Sequence, residues 1–545
     1  MRSQLKVILP FLCLLSLSFT HAQEKHRHDD HEHENFGNVT FPVSCDESVQ
    51  EQFRLGVAML HSFAYEDAEK TFTAVSQKDP HCAMAYWGFA MSLYHPVWVP
   101  PDPSELKRGL NAIERAKLIG GKTEREKEYI AAVDVFYRDS DKLDHRTRAL
   151  AYEKAMERLY RRYPNDREAA VFYSLALLGT ALPSDKTYNK QKKAADILNS
   201  VLVEAPEHPG VAHYIIHSYD YPQLASLALP AARTYANLAP SSPHALHMPS
   251  HIFTRLGLWE ESIRSNVASA DVATRRVGRN HPGTASFDAL HALDYLMYAY
   301  LQECEETNAR NVHEEVSKVQ AVDVENFAAA YALAAVPARY ALERRHWTDA
   351  AALQVRPAGF PWNRFPYAEA IIYFARSLGA ARSGDPGSAR KDLEKLAAFR
   401  EGLLKMKENY WADQVEVQRL SAAAWLAYSE QRHEEALAHL KSAAELEDTM
   451  EKHPVTPGSV LPSRELLGDL LLEMGKPDQA LKEFETTLRV APNRFNSLYG
   501  AARSAELTGD RKKAGALYKR LIELCSRADT VRPELKHAKL FLRSE

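Results

Sequence analysis

Glycine is scarce in this chain, with 22 residues among 545. That scarcity disfavours Gly-rich phosphate-binding loops and long series of tight β-turns. An excess of one charge is also missing. Lys and Arg total 68 against 72 Asp and Glu, a formal charge of −4. Without a basic stripe the chain has no electrostatic footprint of a nucleic-acid binder. Cysteine is limited to five residues and no CxxC pair occurs, which disfavours a zinc ribbon and a thioredoxin-like site. Only the stretch from Val7 to Phe19 is a long apolar run, and it is too short for a comfortable membrane span. The mature chain is therefore expected to carry no membrane span.

Motifs of hydrolytic and nucleotide chemistry are missing too. His313-Glu314-Glu315 and His433-Glu434-Glu435 lack the second histidine of HExxH. Gly121-Lys122-Thr123 resembles the end of a P-loop, but Ala116 stands where the first glycine belongs. No GxSxG elbow is present. The sequence offers no direct sign of an enzyme.

What the chain does have begins with an export signal. Arg2 and Lys6 precede the apolar stretch, and Thr20-His21-Ala22 ends in a small residue suited to cleavage. Residues 1–22 are read as a signal peptide, and the mature protein as periplasmic or extracellular. An oxidising compartment permits disulfides, and Cys45 with Cys82 is the pair favoured here, because both precede helices placed side by side by the repeat. Four buried thiols are the alternative.

A period of 34 residues runs through the chain. Gly468, Ala480, Phe484 and Pro492 are spaced by 12, 4 and 8; Ala514 and Tyr518 repeat Ala480 and Phe484 one period later. Gly56, Ala68, Phe72 and Pro80 carry the same spacings. Ala194, Leu198 and Pro206 match Ala228, Ala232 and Pro240. Small residues recur where two helices touch, with a bulky one between them. The fold class expected is all-α, a helical-repeat superhelix whose stacked helix pairs share one core. Its expected parts are a His-rich disordered tail at 23–40, an N-terminal block at 41–353, a Pro-rich loop at 354–366 and a C-terminal block at 367–545.

These spacings resemble the tetratricopeptide-repeat (TPR) superfamily over nearly all of the mature chain. A narrower resemblance is to secreted bacterial TPR proteins. It is carried by Ser44-Cys45, DPHCAMAYWG at 79–88, HYIIHSYD at 213–220 and PHALHMPSHIF at 243–253. The superfamily resemblance implies a concave groove lined by the first helix of each repeat and a protein or peptide as partner. The narrower one implies fold more than activity.

Histidine is the residue in excess. Six of the 23 fall within 208–251, where composition predicts about two. His213 and His217 recur 34 residues later as His247 and His251. Each pair is separated by four residues, so both imidazoles share one helix face. His244 lies one turn before His247, and Asp220 one turn beyond His217. Four imidazoles are expected to form a rough square in the groove, with three meanings open: a hydrogen-bonded network of neutral rings, a divalent metal site for zinc or copper, or a site that recognises an anionic ligand or peptide. His61 and His95 repeat the same step, and His291, Asp294 and Tyr295 fall on the next inner helix, as secondary groove candidates. In the tail, His26, His28, His31 and His33 form a loose second candidate for metal capture, the alternative being a solvated leader. The function expected is a secreted interaction scaffold with a possible His-rich metal site. The runner-up is a metal-handling protein or metalloenzyme for which the solenoid is the shell.

Overall fold

The structure, a computed structural model, describes residues 35–97 and 99–544. The signal at 1–22, the tail with His26, His28, His31 and His33, and Trp98 lie outside the described residues. Among the described residues the secondary structure is α-helical, with three short 3-10 turns and one isolated β-bridge between Ala285 and Val322.

Helices succeed one another as antiparallel pairs. Gln50–His61 packs on Tyr65–Lys78, and Pro477–Val490 on Phe495–Leu507. The small-and-bulky code explains the close packing. Phe72 is fully buried between Gly56 and Gly88, where an added Cβ would stand 2.8 and 2.4 Å from its ring. Phe484 occupies the same place between Gly468 and Gly500, where the corresponding distances are 2.7 and 2.3 Å. Ala68, Ala194, Ala480 and Ala514 are also fully buried at helix contacts. Acidic N-caps start several helices. Asp102 and Thr123 form capping boxes, satisfying amides that the first turn leaves open.

One boundary differs from the sequence expectation. Residues 35–40 are not a continuation of a loose tail: Phe36 and Val39 are buried, as is Phe41, and Asn35 exchanges backbone and side-chain hydrogen bonds with Ser241. Burial of the apolar side chains of Phe36, Val39 and Phe41 draws this segment into the first core. Buried apolar side chains form one group up to Leu258, a second from Trp259 onward and a smaller third around Cys304, Phe495 and Tyr518. The Pro-rich segment is a loop, but its Phe360, Trp362 and Phe365 pack inside the second cluster, so it joins helices within one core.

Cys45 and Cys82 are joined in a disulfide with a Cα–Cα distance of 4.8 Å. Cys304 and Cys525 are free, buried, and in contact at 3.1 Å between their Sγ atoms.

Candidate metal centre

The first helices of successive pairs stand side by side. Those that matter here are Pro209–Tyr219, the run Pro243–His247 with Pro249–Leu256, and Phe287–Gln302. Pro249 has no amide to donate, so the second helix tightens there. Met248 N–H donates to the His244 carbonyl and His251 N–H to the Met248 carbonyl.

The histidines form two triads instead of one square. His213, His217 and His244 make the first, and His247, His251 and His291 the second; within each, one nitrogen per ring lies within 4.8 Å of the other two. The HxxxH pair of each inner helix takes its third member from the next inner helix. His244 reaches back to His213 on the preceding inner helix, while His247 meets His291 on the following one, which is why the square splits. Nε2 of His213 is 3.1 Å from Nε2 of His217 and 3.1 Å from Nε2 of His244. Nε2 of His247 is 3.0 Å from Nε2 of His251. Metal–nitrogen bonds of about 2.0–2.1 Å at angles between 90° and tetrahedral give nitrogens roughly 2.9–3.4 Å apart.

The outer partners decide which ring nitrogens carry protons. His213 donates from Nδ1 to the His61 carbonyl at 2.6 Å. His247 donates from Nδ1 to Asn266 Oδ1 at 2.6 Å, while the Asn266 amide nitrogen donates to the Ser262 carbonyl, which fixes the amide's orientation. His251 donates from Nδ1 to Asp220 Oδ2 at 3.1 Å. Neutral rings so tied carry bare lone pairs on Nε2. The bare Nε2 atoms of His247 and His251 therefore face each other at 3.0 Å with no proton between them. Tyr295 does not relieve this, because its hydroxyl donates to the Thr456 carbonyl. Two lone pairs in that geometry repel unless a cation lies between them, and outer-shell hydrogen bonds of this kind are how proteins orient metal-ligating imidazoles.

Burial, first of all, pushes the pKa of His213, His244, His247 and His291 well below the usual imidazole value, that of His217 to about 3, and that of His251 down as well. The rings are kept neutral, the form that binds metal. Asp220 is not among the converging atoms. Its oxygens are taken by His251, by Arg255 Nε at 2.9 Å and by Lys452 Nζ at 3.1 Å. Burial raises its pKa, but Lys452, Arg255 and His251 outweigh that and hold it well below the carboxylate range. Asp220 stands behind His251 as an orienting group.

The remaining predicted residues scatter. His61 is buried in a separate network: Nε2 meets Glu168 at 2.8 Å and Nδ1 meets the Tyr214 hydroxyl at 3.0 Å, with His208 on the other carboxylate oxygen at 2.8 Å. Burial raises the Glu168 pKa, but His208 and His61 overcome it and hold it at about 2. His95, at a helix end with φ +48°, packs on Tyr65 and lines a different cavity of about 330 Å³. Asp294 pairs with buried Arg339 at 3.1 Å, away from the triads. Tyr295 packs edge-on against His247 at 4.7 Å.

Sequence reasoning missed the segment Met450–Pro462, which packs against the helices that carry the triads. Lys452 pairs with Asp220, the Thr456 carbonyl meets Tyr295, and the Gly458 and Ser459 carbonyls accept from Arg339. Burial lowers the Lys452 pKa to about 8 despite Asp220. A cavity of about 380 Å³ lies beside His217, His244, His251 and His291 and is walled further by Phe327, Trp411 and His453.

Repeated helix pairs stacked on shared small-residue contacts define an α-solenoid. A tetratricopeptide-repeat family model matches residues 466–529. That segment carries the tetratricopeptide repeat, and the 34-residue spacing recurs elsewhere in the chain. No curated protein matches the chain. Solved structures similar to it include the human IFIT1 dimer with m7Gppp-AAAA, at 12% identity and TM-score 0.36 over 81% of this chain and 90% of that one. Yeast Tom70 is similar at 11% identity and TM-score 0.32, over 92% and 96%. The APC/C hetero-tetramer Cut9-Hcn1 is similar at 12% identity and TM-score 0.30, over 91% and 89%. These scores carry no inference about function. No helix among the described residues is long and apolar enough to cross a membrane.

Proposed function

We propose that this protein is an exported helical-repeat scaffold that holds two transition-metal ions, one at each histidine triad. The observation that carries the proposal is the pair of bare Nε2 atoms of His247 and His251 at 3.0 Å, each fixed from behind by a hydrogen bond at Nδ1. Ligand sets made only of imidazole favour copper or zinc over hard cations such as magnesium or calcium. Each triad leaves coordination positions unfilled by histidine, as expected of sites that bind something further. The Cys45–Cys82 disulfide fits an oxidising compartment outside the cytosol.

A protein partner remains a second reading, supported by the repeat match at 466–529. A peptide lying along the middle of the groove would have to displace Met450–Pro462, so a partner fits better on the surface away from the triads.

Metal content of the untagged full chain tests the proposal. Two equivalents of copper or zinc are expected. His217→Ala with His244→Ala should retain one equivalent, and His251→Ala with His291→Ala should retain the other. No uptake of either metal by a folded parent would refute it, as would loss of both equivalents in each double variant while its helicity is kept.

A further inference from the structure

The cavity beside the triads has a composition that neither a bare metal store nor a structural metal site requires. Two rings of the first triad (His217, His244) and two of the second (His251, His291) reach its lining. Both sites therefore adjoin one space. Phe327, Tyr367 and Trp411 give the lining one aromatic wall. Tyr367 and Trp411 stack at 4.4 Å with 16° between planes, and Phe327 lies 5.2 Å from the Trp411 ring. Val99, Leu403 and Met406 add aliphatic surface. A volume of about 380 Å³ takes one ring with small substituents, since benzene fills a cavity of roughly 150 Å³.

Charge narrows the class. Six neutral imidazoles contribute no negative charge, and Asp220 is already bound by Arg255 and Lys452. Two divalent ions in a largely buried site then lack a counter-charge, which is costly unless an anion joins them. Glu408, the one carboxylate in the lining, is exposed at the rim, and Arg364 of the same lining is paired with Glu325. Negative charge next to the metals has to arrive with solvent or with a ligand.

Resting on the two-metal reading above, we propose that this cavity binds a small aromatic alcohol as its oxygen anion, the oxygen on metal and the ring against Trp411 and Phe327. Phenols and catechols are the ligand class. A metal ion promotes loss of the hydroxyl proton to solvent as the metal–oxygen bond forms, so no oxidant or reductant is needed for binding. The stacked aromatic wall selects planar rings over aliphatic alcohols of similar size.

The test uses the full chain loaded with zinc and titrated with 4-nitrocatechol, whose visible absorption shifts on metal coordination. A saturable shift is expected, absent from the chelator-treated protein. Catechol should displace the probe and cyclohexane-1,2-diol should not. Trp411 is only half-buried, so Trp411→Ala can be made with little effect on the core. It should weaken binding about tenfold with zinc content unchanged, and Trp411→Phe should recover most of the loss. A zinc-loaded protein that leaves the probe spectrum unchanged overturns this proposal while the metal reading stands. Equal affinity in Trp411→Ala, or equal competition by the aliphatic diol, overturns it as well. A folded chain that takes up no zinc sinks both, and the metal count alone reveals that case.

Discussion

Acidifying the metal-free protein should loosen the helices that carry the triads, and bound metal should prevent it. Burial lowers the pKa of His213, His217, His244, His247, His251 and His291 from an ordinary value of 6.5. The unfolded chain takes up protons below that value, whereas the folded chain refuses them. Stability is therefore unaffected above pH 6.5 and falls as pH drops from there toward the depressed folded values, near 3 for His217. One pH unit below 6.5, each ring that must stay neutral costs about 1.4 kcal/mol. The five rings other than His251, which are pushed furthest down, come to roughly 7 kcal/mol, comparable with the whole stability of an ordinary domain. A proton caught between the facing Nε2 atoms of His247 and His251 would return about one such increment. In a repeat array the loss is local. Hydrogen exchange is thus the assay, followed in Pro209–Tyr219 and Pro249–Leu256 at about pH 7.5 and 5.5, corrected for intrinsic rates, with and without zinc. Exchange in those helices should accelerate on acidification relative to Phe495–Leu507, and zinc should suppress the change. Equal protection at both pH values in the metal-free protein would refute the reasoning that buried neutral imidazoles dominate this region.

Three further outcomes are expected. Gly500→Ala would put a Cβ 2.3 Å from the Phe484 ring and should cost about 1–3 kcal/mol in chemical unfolding; Phe484→Leu in the same chain should recover part of it, and a neutral Gly500→Ala would argue against the tight ring contact. Arg494→Met leaves Glu343 and Glu465 buried without the guanidinium that each meets within 3.0 Å, an expected loss of about 3–5 kcal/mol that adding Glu343→Gln and Glu465→Gln should largely restore; no loss in the single variant would count against the pair. Cys304 and Cys525 should pass two hydrogens to glutathione disulfide, forming a cross-link and releasing two glutathiones; two alkylatable thiols at these positions after that treatment and unfolding would contradict the 3.1 Å contact.

Much of the repeat was legible because helix packing leaves a local trace. Phe72 and Phe484 need small residues at fixed distances along the chain, so Gly56 and Gly468 announce one contact of each ring in one dimension, while Gly88 and Gly500 emerged from the packing. Burial of Phe36 and Val39 was not legible, since a few apolar residues after a polar stretch set no period. The change of buried group at Trp259 was hidden as well. Pro-rich composition at 354–366 reports a break in helix, whereas such a grouping depends on which side chains meet.

At the site, the sequence alone determines that His213 with His217, and His247 with His251, share helix faces, because 3.6 residues per turn brings positions four apart together. It also determines that the two pairs recur in phase. Tertiary packing decided the rest: that His244 turns back toward His213, that His291 joins His247, and that His61 pairs with Glu168 apart from both triads. It brought Asn266 and Asp220 behind the rings and returned Lys452 from a segment more than 200 residues away. The physical reason is that helical periodicity is a property of neighbours in sequence. The tautomer of a ring, the partner of a carboxylate and the company of a lone pair depend on atoms that only the folded chain assembles.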